Sequence, residues 1–152
     1  MRIKSERIMK KIYKADLKQL EAIAADTAAF CGEIGADPAS AYALNLCLDE
    51  IFTNIVQYGY RCDASKEVEI ELSKVPCGSG ESGNAAGIAA VVRDGAPEFN
   101  PLLQAPAPDT QSAMENREIG GLGVFLIKKN MDRVEYARRN GKNELSMFRK
   151  LA

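Results

Sequence analysis

Three short stretches hold side chains whose types and spacing can do chemistry. In the first, Leu48-Asp49-Glu50-Ile51-Phe52-Thr53-Asn54-Ile55-Val56-Gln57-Tyr58-Gly59-Tyr60, a carboxylate and a carboxamide lie four residues apart. On a helix Glu50 and Asn54 sit about 40° apart on one face. An amide oxygen is a hard ligand suited to Mg²⁺, which keeps several waters and takes few protein ligands. A carboxylate one turn away can orient or deprotonate an attacking hydroxyl. Taken alone, the pair is also what any solvated helix face shows.

The second stretch is Val91-Val92-Arg93-Asp94-Gly95-Ala96-Pro97-Glu98-Phe99-Asn100-Pro101-Leu102. An apolar strand delivers Asp94 to the mouth of a long loop. An ionised carboxylate only accepts hydrogen bonds, so it suits an exocyclic amine such as that of adenine. An ordinary Asp-Gly turn after a strand reads the same way. The third is Gly120-Gly121-Leu122-Gly123-Val124-Phe125-Leu126-Ile127. Glycines opening a helix expose backbone N–H groups to phosphate oxygens, and the helix dipole favours the anion. It is not the Walker pattern, because no Gly-Lys-Ser/Thr follows.

The chain has no histidine. That removes Ser-His-Asp and Cys-His nucleophilic catalysis, a mixed Cys/His zinc site and a phosphohistidine. Acid-base work falls to carboxylates, Lys, Tyr or Cys. With 20 basic and 21 acidic side chains the net charge is −1, so no field draws in nucleic acid or an anionic membrane. Small-molecule and protein partners are favoured, with neither direct nucleic-acid binding nor membrane attachment. No window supplies the roughly 18 apolar residues of a membrane span, and residues 1–13 lack a signal-peptide core. Cys31, Cys47, Cys62 and Cys77 form no CxxC pair and read as reduced thiols of a cytoplasmic protein, with a Cys-only metal site or disulfides as the alternatives.

The elements that must position these residues follow from periodicity. A loosely alternating strand, at a sheet edge, runs from Arg2 to Tyr13. A helix starts at the N-cap Asp16, with Leu17, Leu20, Ala24, Thr27, Cys31 and Ile34 at helical spacing, and stops at Gly35. Asp37-Pro38 opens a second helix with the stripe Leu44, Leu48, Ile51, Ile55, ending near Gly59. Lys66–Val75 alternates as a half-buried strand, and Ile88–Arg93 is a more deeply buried one. Residues 94–119 form a long aperiodic loop, which in a compact domain is functional or mobile. A short helix from Gly120 to about Met131 precedes the strands Asp132–Arg139 and Asn143–Lys150, joined by the hairpin signal Asn140-Gly141. At 152 residues the chain fits one domain. Grouped hairpins with helices set apart predict an α+β two-layer sandwich, with a mixed, mostly antiparallel sheet and helices on one face.

In order and spacing the three stretches resemble the N, G1 and G2 boxes of the GHKL ATPases, the Bergerat fold, over nearly the whole chain. The stretch GGLGVFLIKKNMDRVEYARRNGKNELSMFRKL is most similar to the anti-sigma serine/threonine kinase branch. The resemblance implies ATP or ADP with Mg²⁺. It makes Glu50 the catalytic carboxylate, Asn54 the Mg²⁺ ligand and Asp94 the partner of the adenine amine. Ala96 would lie in the base pocket, and Gly121, Leu122 and Gly123 at the phosphates. Ser146 falls where the family often has a Thr near the adenine. Residues 95–119 would be the ATP lid, with Arg117 in it, either solvated or touching phosphate. Two positions depart from the pattern. Tyr58 stands where many relatives have His. Ala96 stands where the G1 box has Gly, so a methyl group meets either a positive φ or the base.

Two functions are compatible with this resemblance. One is an ATP-dependent protein serine/threonine kinase that phosphorylates a STAS-domain anti-anti-sigma protein and regulates a sigma factor. The other is a non-catalytic nucleotide-binding module that sequesters a sigma factor or another regulator. The resemblance also implies a homodimer.

Overall fold

The computed structural model describes residues 7–76, 85–104 and 121–152. The strands are β1 (Ile8–Lys14), β2 (Glu67–Pro76), β3 (Ala86–Asp94), β4 (Arg133–Arg139) and β5 (Lys142–Lys150). The helices are α1 (Leu20–Ile34), α2 (Pro38–Asn54), the four-residue α3 (Pro101–Gln104) and α4 (Gly121–Asn130). The five strands form one sheet in the order β1-β2-β3-β5-β4. Every pairing is antiparallel. The sheet is therefore not mixed among the described residues; otherwise the expected two-layer α+β architecture holds.

Local chemistry explains where the elements begin and end. Asp16 caps a short 3₁₀ turn, Leu17–Gln19, by accepting from the Lys18 N–H, and α1 follows directly. Gly35 stops α1 in the left-handed region at φ 72°, where a side chain would be strained. Asp37 caps α2 through the Ser40 N–H, with Pro38 in the first turn. The other Asp37 oxygen accepts from the Ala152 N–H, and these bonds hold its carboxyl down at about 2. At the β4–β5 hairpin both central residues have positive φ, 53° at Asn140 and 74° at Gly141. That is the geometry whose twist matches paired strands.

The sheet face toward the helices carries Tyr13, Val68, Ile70, Leu72, Ile88, Ala90, Val92, Leu145 and Met147, all buried. They alternate along each strand with outward residues, as a period of two requires. Phe30, Leu44, Cys47, Leu48, Ile51, Phe52 and Ile127 close the layer from the helices. Each such fully buried side chain contributes about 1.5–3 kcal/mol. Edge strand β1 is tied to α1 by Asp26, whose Oδ2 accepts from Lys11 and the Tyr13 hydroxyl, both at 2.8 Å. On the opposite face Arg93 lies between Glu69, Glu71 and Glu144, at 2.7, 2.9 and 2.8 Å. One cation on β3 thus serves three carboxylates from the two strands beside it, β2 and β5.

α2 does not end as a plain helix. Ile55–Gly59 continue as a π-helical turn, closed by Tyr60 N–H donating to Ile55 O at 2.8 Å. A π turn widens the helix and rotates the side chains around it. Arg61 and Cys62 then take positive φ, 53° and 64°. Cys31, Cys47 and Cys62 are free thiols, and Cys77 lies outside the described residues. No helix among the described residues is long and apolar enough to cross a membrane.

Candidate functional site

α2 with its π turn, the end of β3 with the segment after it, α4 and β5 enclose a largely apolar cavity of about 410 Å³. Asn54, Tyr58 and Gly59 come from the first stretch, Asp94 and Ala96 from the second and Val124 from the third. The three stretches, far apart in sequence, therefore share one cavity.

Beside the lining residue Asn54, Gly123, the third residue of α4, packs on the face of α2 that carries Glu50 and Asn54. A Cβ built on Gly123 would lie 3.0 Å from Glu50 Oε2 and 3.4 Å from Asn54 Nδ2. The absence of a side chain at Gly123 is what lets the helix opening approach both groups. Neither Glu50 nor the Asn54 carboxamide has a hydrogen-bonding or ionic partner among the described residues. Burial, and then the neighbouring charge of Asp49, push the Glu50 carboxyl above the ordinary glutamate value. It is a half-buried carboxylate with no partner among the described residues.

Asp94, also in the cavity lining, is 6 % exposed. Its Oδ1 accepts from the Ala96 N–H at 2.9 Å and from Asn143 Nδ2 at 3.0 Å. Oδ2 accepts nothing from the described residues. Burial raises the Asp94 carboxyl, while Asn143, the Ala96 amide and the charge of Arg138 oppose that shift. A buried acceptor with an open oxygen beside an apolar slot is a site for a ligand donor. The turn is also tied from outside: the Gly95 N–H donates to the Tyr60 hydroxyl at 2.6 Å, and that hydroxyl donates to Glu67 O at 2.7 Å.

The profile of the histidine kinase-like ATPase domain matches residues 13–149. The chain belongs to that family. Membership in a family of ATPase domains implies an adenine-nucleotide site, and the cavity fits one: its lining includes the buried acceptor Asp94, and Asn54 and Val124 beside the glycine-opened start of α4. The fold is also similar to the crystal structure of the RsbU and RsbW domains of Rv1364c from Mycobacterium tuberculosis. The TM-score is 0.59 at 15 % identity, over 95 % of this chain and 32 % of that one. This chain thus spans about a third of that structure's length, and the likeness shows the fold. No curated protein sequence matches the chain.

Of the residues picked from the sequence, Asn54, Asp94 and Ala96 line the cavity, and Glu50 and Gly123 meet beside Asn54 without lining it themselves. Gly121 opens α4. Leu122 follows it in that first turn. Ser146 needs a correction. It pairs with Val91 on one side and Glu135 on the other, on the outward face, whereas its neighbour Leu145 lines the cavity. A period of two puts adjacent residues on opposite faces, so Ser146 cannot reach the base site. The expectation of a strained backbone at Ala96 is not met either. Among the described non-glycine residues only Arg61, Cys62 and Asn140 have positive φ. The Ala96 methyl is accommodated by Gly59, where an added Cβ would come within 3.1 Å of it. Tyr58 lines the cavity and is 51 % exposed. Arg117, Gly120 and residues 105–119 of the expected lid lie outside the described residues, and α3 forms in its first part.

Sequence reasoning missed Asn143, Tyr60, Tyr136 and Arg138. Asn143 was findable: it is polar, yet shares strand parity with the inward Leu145 and Met147. Tyr60 gave no such signal, because its role depends on the π turn.

Proposed function

We propose that this chain is a single ATPase domain that binds ATP with Mg²⁺ and transfers the γ-phosphoryl group to a serine or threonine of a STAS-type anti-anti-sigma protein, so regulating a sigma factor. The carrying observation is the pair Glu50 and Asn54, without side-chain partners among the described residues, against which Gly123 packs without a side chain. Asp94 Oδ2 would accept the adenine amine. The N–H groups at Gly121, Leu122 and Gly123 would meet phosphate oxygens. The Asn54 amide oxygen would hold Mg²⁺, which when bound neutralises charge on the phosphates.

Glu50 would accept the hydroxyl proton of the target residue as its oxygen bonds to the γ-phosphorus and the bond to the β-phosphate oxygen breaks, releasing ADP. A raised carboxyl is a better base than an ordinary glutamate, and none of the described residues ties this one away from an incoming hydroxyl. The resemblance to the anti-sigma branch supports the choice of acceptor, a homodimer and a cytoplasmic setting.

The test pairs the protein with STAS-domain candidates and labelled ATP, following nucleotide binding and phosphoserine together. Asn54→Ala is expected to weaken Mg-ATP binding and abolish transfer. Glu50→Gln is expected to keep binding and lower transfer by about a hundredfold, the low end for a general base in a reaction governed by positioning. A wild type that binds Mg-ATP and its partner but transfers nothing would replace the kinase by the nucleotide-gated sequestering module.

A further inference from the structure

Asn143, the first inward residue of β5, is 7 % exposed and fully engaged. Its Nδ2 donates to Asp94 Oδ1 at 3.0 Å, to Pro97 O at 3.1 Å and to Ala96 O at 3.3 Å. Its Oδ1 accepts from the Tyr136 hydroxyl at 2.6 Å, from the Phe99 N–H at 3.1 Å and from Arg138 at 3.1 Å. Donors cluster on one side and acceptors on the other. A flipped amide would set like against like at five of the six contacts, since only the Tyr136 hydroxyl can switch from donor to acceptor, so the orientation is determined by its surroundings. Three acceptors share two N–H protons, and a hydroxyl in this position has one proton to offer. An amide is thus the small group that can hold Asp94 and the carbonyls after it together.

The consequence falls on the two oxygens of Asp94. Oδ1 has two donors, the Asn143 amide and the Ala96 N–H, whereas Oδ2 has none from the described residues. The same carboxylate lines the cavity. We infer that Asn143 is a positioning residue that sets base selectivity: it saturates one oxygen of Asp94 and fixes residues 96–99, so that a single acceptor, Oδ2, meets the ligand. A lone fixed acceptor favours a purine with an exocyclic amine at that point and opposes one with a carbonyl there, since two acceptors facing each other leave both unpaired. This inference rests on the nucleotide reading above and goes further, because it assigns discrimination to a residue that need not touch the base.

The test compares ATP with purine riboside triphosphate, which lacks the amine, and with GTP, by titration calorimetry on wild type, Asn143→Leu and Asn143→Thr, alongside melting curves. Wild type is expected to prefer ATP over the amine-free analogue about tenfold or more. In Asn143→Leu that ratio should fall toward one, because Asp94 can turn either oxygen away. Asn143→Thr keeps one donor for Asp94 and should retain part of the ratio. A purely structural role lowers both affinities equally. An Asn143→Leu protein that melts cooperatively and keeps the wild-type ratio therefore overturns the inference. Should Asn143→Leu not fold, Asn143→Thr decides on the same ratio, and an unchanged value with weaker binding of both ligands overturns it. Wild type that binds ATP without preference also overturns it. Wild type that binds none of the three triphosphates overturns the nucleotide reading itself and this inference with it.

Discussion

Gly123→Ala should separate chemistry from folding. The added carbon would lie 3.0 Å from Glu50 Oε2 and 3.4 Å from Asn54 Nδ2. Ordinary carbon–oxygen contacts begin at about 3.3 Å, so something must move by a few tenths of an ångström. The mobile party is the Glu50 carboxylate, the far end of a flexible side chain with no partner among the described residues. Its displacement costs the fold little. The backbone also tolerates the change, because Gly123 does not have positive φ, and in a helix Ala is favoured over Gly by about 0.5–1 kcal/mol. The melting temperature should therefore hold or rise slightly. Transfer should not survive as well. A misplacement of ~1 Å at a reacting group costs about a hundredfold, so a shift of a few tenths, with the carboxylate turned from its direction, should cost roughly tenfold, or ~1.4 kcal/mol of barrier. Because the backbone N–H remains, Mg-ATP affinity should change by less than about threefold. The assay is labelled-phosphate transfer at saturating ATP with calorimetry and thermal melting in parallel. A folded Gly123→Ala protein that transfers at the wild-type rate refutes the view that the bare glycine exists to seat Glu50.

Three further outcomes are expected. Glu50 has a raised folded pKa, so between the ordinary glutamate value and that higher one the folded state keeps a proton the unfolded state has released. Stability from this group is present below that window and lost as pH rises through it, so Glu50→Gln should melt higher than wild type at neutral pH. In the kinase assay wild-type turnover should fall as pH drops through the raised value, an acid limb that Glu50→Gln lacks. Asp94→Ala should weaken ATP binding by ~1–3 kcal/mol in calorimetry, and wild-type affinity should decline on acidification above the ordinary aspartate range because burial raises that carboxyl. Gly59 and Ala96 share one space, so Gly59→Ala should destabilise by ~1–3 kcal/mol through overpacking and be rescued in the Ala96→Gly background. Additivity in that denaturation cycle would show that the two positions are independent.

The elements were legible because their signals are local. Asp37-Pro38, Gly35 and Asn140-Gly141 each determine backbone geometry within a few residues, and the structure has a cap, a left-handed stop and a two-residue turn at those points. The pairing of Glu50 with Asn54 was legible for the same reason, since helical spacing alone puts them on one face. Strand parity was harder. The alternation of Glu67 to Leu72 was clear, but β5 reads Asn143-Glu144-Leu145-Ser146-Met147-Phe148, and its buried Phe148 lies on the outward side with Arg133 over its ring. An apolar residue on each face blurs the period. A family pattern read without the hairpin register then lands on Ser146, while the inward polar position is Asn143. The π turn was not legible at all, because Ile55–Gly59 continues the apolar pattern of α2 and only the longer hydrogen-bond step tells the two apart.

The departure at Ala96 shows why a position cannot be judged by itself. A methyl group in a glycine position has to displace something, and here it fills the space left by the missing side chain of Gly59, on the π turn. The Ala96 amide still donates to Asp94, and its carbonyl still accepts from Arg138 at 2.9 Å and from Asn143. What the site requires of this residue is therefore its backbone, held close to α2, and not the absence of a Cβ. Moving that one carbon from Ala96 to Gly59 should therefore leave Asp94 lining the same cavity.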